Sequence, residues 1–209
     1  YDSLLRQGEE LGIYTWFIGL NAWSHEVCEW LEAHPDCAFV LFMKPDALTP
    51  AVLDEAEQLE HVMFSISADG DVRRLCAAMH ERRMLYAVHK TYREEDVKDI
   101  LNDNFFYDAQ ELHAIFTVLL PHASCSENTQ DIVYDYVKRT RSEQKFATIA
   151  WDMVQDVLTV DTVISEDSCS AGFRADGSFF QMTDYHAPVR FNGFTTPLKE
   201  ILRQELKKA

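Results

Sequence analysis

Two kinds of apolar pattern alternate along this chain. Short, nearly continuous runs rich in β-branched and aromatic residues occupy Ile13–Gly19, Cys37–Met43, Val62–Ser67, Met84–Val88, His113–Leu120 and Phe146–Trp151. Runs that do not alternate with polar residues predict strands covered on both faces, as in a parallel sheet beneath helices. Between them lie segments with helical spacing. Thr49 and Pro50 supply an N-cap and a first-turn proline for a helix over Pro50–Leu59. Asp71–Arg83 places Val72, Leu75, Cys76 and Met79 on one face, and Asn128–Arg141 does the same with Val133, Tyr136, Val137 and Thr140. Ser24–Ala33 and Glu94–Leu101 are shorter segments of the same kind, and Tyr1–Leu11 reads as the tail of a helix feeding the first strand.

Strand, helix, strand, helix in this order predicts right-handed crossovers and an α/β fold. The rhythm breaks near Val160. A stretch rich in Ser, Asp and Gly follows, and then a helix signalled by Thr196 as cap, Pro197, and the stripe Leu198, Ile201, Leu202, Leu206. The expected division is therefore a barrel-like body over 1–158 and a small C-terminal extension over 159–209.

Composition narrows the function classes. The 209 residues carry 35 acidic against 19 basic side chains, a formal charge of −16. Such a surface repels phosphate backbones, so a nucleic-acid partner is not expected. No apolar run reaches membrane-spanning length, so no membrane partner is expected either. Five cysteines, Cys28, Cys37, Cys76, Cys125 and Cys169, form no CxxC or CxxxC unit. An odd count without a secretion signal suits reduced thiols and a cytoplasmic location. Cys28, Cys37 and Cys76 sit in apolar stretches and are expected in the core, whereas Cys125 falls in a loop between a strand and a helix. No HExxH, P-loop, GxGxxG or GxSxG phrase occurs.

In parallel α/β folds, function sits at the C-terminal ends of the strands. Read in order, those ends are Phe17-Ile18-Gly19-Leu20-Asn21-Ala22, Phe42-Met43-Lys44-Pro45-Asp46, Ser65-Ile66-Ser67-Ala68-Asp69-Gly70, His89-Lys90-Thr91 and Leu120-Pro121-His122. The first three and the intervals between them resemble radical S-adenosylmethionine (radical SAM) enzymes, over roughly residues 1–158. There a GGEP-like turn, a TNG-like turn and an S-I-D-G-like phrase close successive strands. The resemblance implies an incomplete parallel (β/α) barrel, a partial TIM barrel whose first strand and cysteine loop are missing here. It places Gly19, Asn21 and Ser67 at an S-adenosylmethionine site, and Lys44, His89, Lys90 and His122 around the barrel mouth. His89, His122 and Lys90 there suit an anionic or carboxylate group. Asp69 is expected to act mainly as a helix cap, and Trp23, just beyond a strand end, to plug part of the cofactor pocket.

Further on, Ser168-Cys169-Ser170-Ala171-Gly172 and Ala175-Asp176-Gly177 resemble the SPASM or twitch extension of the same family. The resemblance would make Cys169 a cluster ligand, but Met182 stands where a closing cysteine is expected, and one thiolate cannot hold a cluster. The barrel departs further. No CxxxCxxC loop for a 4Fe-4S cluster is present, Asn21 replaces the glutamate that would bind the cofactor amine, Leu20 replaces a glycine, and Met43-Lys44-Pro45 replaces the TNG-like turn. Two functions fit. One is a degenerate member, a pseudoenzyme binding a peptide, small molecule or protein partner at the mouth. The other is an active radical SAM enzyme whose cysteine loop precedes Tyr1, and which would use S-adenosylmethionine and a 4Fe-4S cluster on a peptide or small metabolite.

Overall fold

A computed structural model of the chain describes residues 1–68, 70–103, 110–122, 124–143, 148–150, 171–173, 176–181 and 189–206. They form two compact units, one of residues 15–156 and one that joins residues 1–14 to 157–209.

The larger unit is a six-stranded, all-parallel sheet in the order β1-β2-β3-β4-β5-β6. The strands are β1 (Thr15–Leu20), β2 (Ala38–Met43), β3 (Val62–Ser67), β4 (Leu85–Tyr92), β5 (Thr117–Pro121) and β6 (Thr148–Ala150). Spatial order equals sequence order, so there is no switch point of the kind that divides a doubly wound sheet. Right-handed crossovers in one direction put every connecting helix on the same face, the arrangement of a (β/α) barrel. This is the expected incomplete parallel (β/α) barrel. The connecting helices are α2 (His25–Glu32), α3 (Pro50–Ala56), α4 (Arg73–Glu81), α5 (Val97–Leu101) and α6 (Glu127–Ser142).

Strand alternation then sorts residues onto two faces. Phe39, Leu41, Met43, Val62, Phe64, Ile66, Tyr86, Val88 and Leu119 point toward the helices and are buried. They meet Cys28, Leu31, Leu53, Ala56, Cys76, Met79, Val133 and Val137, which are buried on the helices. The other face carries Phe17, Gly19, Phe42, Ser65, Ser67, Ala87 and His89, set side by side by the strand register. The helix starts are satisfied locally. Ser24 and Thr49 accept from the backbone N–H groups of Val27 and Val52, and Ser126 accepts from Thr129 N–H. Asp71 accepts from Arg73 N–H at 3.1 Å. The cap expected from Asp69 lies outside the described residues.

Element bounds differ from the sequence reading where chain polarity misleads. β4 runs on to Tyr92 instead of stopping at Val88, because its polar end is accommodated: Ser65 receives His89, and Lys90 meets Asp96 at 3.1 Å. β5 begins at Thr117, not His113. His113 takes a positive φ of 57°, and Ile115 is exposed, so the first half of that apolar run is a turn. Glu94–Asp96 is a 3₁₀ turn before α5. The Glu94 carboxylate accepts from the Thr129 hydroxyl and the Ser126 N–H, contacts that hold it below the usual carboxylate range.

In the smaller unit α1 (Asp2–Glu10) packs its Leu4 and Leu5 face with α7 (Leu198–Leu206), whose Leu198 and Ile201 are buried. Gln7 Oε1 accepts from Leu198 N–H at 2.7 Å. This cap comes from 191 residues away in sequence, a role the sequence had assigned to Thr196. β7 (Ala171–Phe173) and β8 (Phe179–Gln181) form an antiparallel hairpin. Asp176 and Gly177 lie in its turn, with Asp176 Oδ1 accepting from Ser178 N–H at 2.9 Å. Cys169 and Met182, the positions read as cluster-related, lie outside the described residues.

Gly177 has φ +81°, and a Cβ there would come within 2.5 Å of the Phe194 ring and 2.7 Å of Asn192 Oδ1. Gly177→Ala is therefore expected to destabilise the protein by about 1–3 kcal/mol, from a left-handed backbone and a forced shift of Phe194. Chemical denaturation of the variant beside the parent, with unchanged m-value, measures the loss; equal midpoints would contradict it.

Candidate functional site

The C-terminal ends of β1, β2, β3 and β4 open into a cleft of about 600 Å³. Gly19, Leu20 and Asn21 border it from β1 and its loop, Phe42, Met43, Lys44, Pro45 and Asp46 from β2, and Ser67 and His89 from β3 and β4. Five of the residues singled out from sequence are thus brought together: Gly19, Asn21, Lys44, Ser67 and His89. Two are not. Lys90 alternates to the helix face, where its ammonium meets Asp96. Burial opposes the Asp96 carboxylate, yet the Arg93 N–H and Lys90 outweigh it and hold Asp96 below its ordinary range. His122 follows β5, and its Nδ1 lies 2.8 Å from the Ser124 hydroxyl.

Each wall has a local cause. Gly19 faces open space, since a Cβ built there meets nothing within 4 Å. Lys44 is extended, with φ −76° and ψ 146°, as a residue before proline must be. Its carbonyl accepts from Ala47 N–H at 3.1 Å, closing the 3₁₀ turn Pro45–Ala47 and fixing the backbone that carries the ammonium. His89 is 9% exposed, with Nδ1 3.0 Å from the hydroxyl of fully buried Ser65. A buried imidazole needs such a partner. The Phe42 ring meets His89 edge-on at 5.3 Å and Phe17 at 6.3 Å. Phe42, Ser65 and Asp46 stand in the strand-end phrases read from the sequence but receive no role there. Phe42 was legible in principle, because it lies two residues before Lys44.

Trp23 does not plug this cleft. Its ring packs on Phe64, one residue from Ser65 and therefore on the helix face, and its Nε1–H donates to Glu55 Oε2 at 2.7 Å. Glu55 on α3 also takes His25 Nδ1 at 2.5 Å, and His25 Nε2 lies 3.6 Å from Glu29. The loop that carries Asn21 is thereby tied to α3 through Trp23 and His25. The bond to Glu55, then the charges of Glu29 and Glu55, raise the His25 pKa above 6.5. The His25 and Trp23 bonds lower that of Glu55.

Crystal structures of Streptococcus suis SuiB share this fold. One has a TM-score of 0.66 at 10% identity and covers 95% of this chain and 57% of that one. SuiB bound to S-adenosylmethionine gives 0.65 at 9%, covering 96% and 56%. SuiB bound to the precursor peptide SuiA gives 0.64 at 10%, covering 95% and 56%. The chain thus has a radical SAM-like fold and spans a little over half the length of these proteins. No protein-family model and no curated protein matches the sequence.

The fold family implies a 4Fe-4S cluster, and the described residues do not fit one. Iron–sulfur clusters need several thiolates. The cleft lining contains no cysteine, and among the described residues no three His, Cys, Asp or Glu side chains converge for a metal. Cys28, Cys37, Cys76 and Cys125 are buried. Desolvation raises the thiol pKa of Cys28 and Cys125 and pushes that of Cys76 up to about 11, so these three are neutral thiols at pH 7. Cys125 lies in the loop between β5 and α6, as expected, and its buried thiol donates to the Tyr92 carbonyl at 3.2 Å.

The His25–Glu55–Trp23 junction predicts a pH signature. The His25 contribution is present in full below about pH 6.5 and is lost as pH rises through its raised pKa. The Glu55 contribution is present above about pH 4.5 and is lost as pH falls through its lowered pKa. A Trp23 fluorescence titration is expected to show a step above pH 6.5 that disappears in both His25→Ala and Trp23→Phe. A step that survives His25→Ala would refute the assignment.

Proposed function

We propose that this chain is a radical SAM-like barrel, a degenerate member of that group, whose strand-tip cleft binds a peptide, a small molecule or a segment of a protein partner. The carrying observation is the chemistry of the lining. Asn21 stands where the family's resemblance calls for a carboxylate, Lys44-Pro45 replaces a turn of small polar residues, and the residues bordering the cleft include no cysteine. These departures lie within the chain itself, at separate strands, and do not depend on what precedes Tyr1. Asparagine accepts a hydrogen bond but lacks the charge that strengthens one to an ammonium. The peptide reading draws support from SuiB, which shares the fold and has been crystallised with its precursor peptide.

In this reading the residues bind and orient. Lys44 offers a fixed cation, and Phe42 an apolar surface. The Ser65 hydroxyl holds the His89 ring against Phe42, and Gly19 leaves room for close backbone approach by a ligand.

A second reading is an active enzyme that takes its cluster from a cysteine loop upstream of Tyr1. The open space over Gly19 and the fold shared with SuiB bound to S-adenosylmethionine favour it. Anaerobic iron–sulfur reconstitution of the full-length protein separates the two. The degenerate reading expects no visible charge-transfer band, no stoichiometric iron, and no heat of binding with S-adenosylmethionine. A reconstituted cluster that binds S-adenosylmethionine overturns it.

A further inference from the structure

The cleft has a chemical polarity that goes beyond a generic binding site. Its floor is aromatic. The half-buried Phe42 ring borders the cleft and meets the edge-on ring of His89. Its rim carries the Lys44 ammonium, on the turn that follows β2, two residues beyond Phe42. The turn beneath Lys44 is rigid, locked by Pro45 and by the Ala47 N–H donating to the Lys44 carbonyl. The sequence holds 35 acidic residues, yet no described carboxylate pairs with Lys44. Asp46 sits in the same turn and still does not fold back onto it. An exposed lysine on a flexible loop would carry little information. A lysine on a fixed turn, beside an aromatic floor and a nine-tenths buried imidazole, sets one cation at a defined distance from one apolar surface.

We propose that the cleft selects a ligand bearing a carboxylate next to an aromatic or branched apolar group. The carboxylate pairs with Lys44, and the apolar group lies on Phe42. The C-terminal residue of a peptide with an apolar side chain has this pattern. The proposal rests on the strand-tip cleft being the ligand site and names the ligand class that site takes. A charge-assisted contact with an ammonium is stronger than a neutral one, so removing the ligand's charge is the discriminating change.

N-acetyl-phenylalanine and its C-terminal amide differ in that charge alone and are suitable probes. Titration of each into the isotope-labelled full-length protein, followed by backbone amide NMR shifts, is expected to perturb Asn21, Phe42, Lys44 and His89. The acid is expected to bind about tenfold tighter than the amide, equivalent to about 1.4 kcal/mol. Lys44→Gln should bring the two within about twofold, and Lys44→Arg should keep the preference. Both variants change an exposed side chain, and their unperturbed amide spectra verify folding. If acid and amide bind the cleft equally in the parent, the carboxylate proposal fails while the ligand-site reading stands. If the acid preference survives Lys44→Gln, Lys44 is not its source and the proposal likewise fails. If neither probe perturbs the cleft residues, the ligand-site reading fails with it.

Discussion

The whole site depends on one constraint: each strand of the larger unit pairs with its immediate successor, in parallel, from β1 to β6. Crossovers of one hand then leave every connecting helix on a single face. That face takes the apolar side chains of Phe39, Leu41, Phe64, Ile66, Tyr86, Val88 and Leu119 and forms the core. The opposite face is left to the strands themselves, and alternation fixes which residues appear on it. Phe42, Ser65 and His89 meet there because their strands are adjacent and in register, not because they are near in sequence.

The same constraint explains how a polar cluster survives inside a sheet. Ser65 is fully buried and His89 nearly so, and the two share a hydrogen bond. Loss of His89 would leave the buried Ser65 hydroxyl without this bond, and an unsatisfied buried polar group costs more than the bond itself contributes. The charged groups sit one step outward, on turns, where Lys44 and Asp46 remain solvated. The cleft thus grades from apolar floor to polar wall to charged rim over a few residues of β2 and its turn. Around it, the thiols that cluster chemistry would need are absent from the lining, and the described cysteines are buried.

Much of the fold was legible because the strands are covered on both faces or nearly so. β3 was read from the sequence over Val62–Ser67, the bounds it has in the structure. The buried stripe of α6, Val133, Tyr136, Val137 and Thr140, followed from spacing alone. A continuous apolar run, however, carries no phase. His113–Leu120 therefore gave no sign that its first half turns at His113, and Trp23 could not be assigned to a face until its contacts with Phe64 and Glu55 were known. The strand ends pointed to Gly19, Asn21, Lys44, Ser67 and His89, which border one cleft. Lys90 was grouped with them by proximity in sequence, but adjacent residues of a strand point to opposite faces. Gln7 as the cap of α7 depends on a contact between the two ends of the chain, which no local pattern encodes.

Amide-shift mapping of the isotope-labelled protein against an unbiased library of small fragments tests most directly whether the strand tips form its ligand site. Perturbations should converge on Gly19, Asn21, Phe42, Lys44, Ser67 and His89, and leave the outer surfaces of α2, α3 and α4 unchanged. Shifts scattered over those helices or confined to the smaller unit, with none at the ends of β1 to β4, would contradict the account.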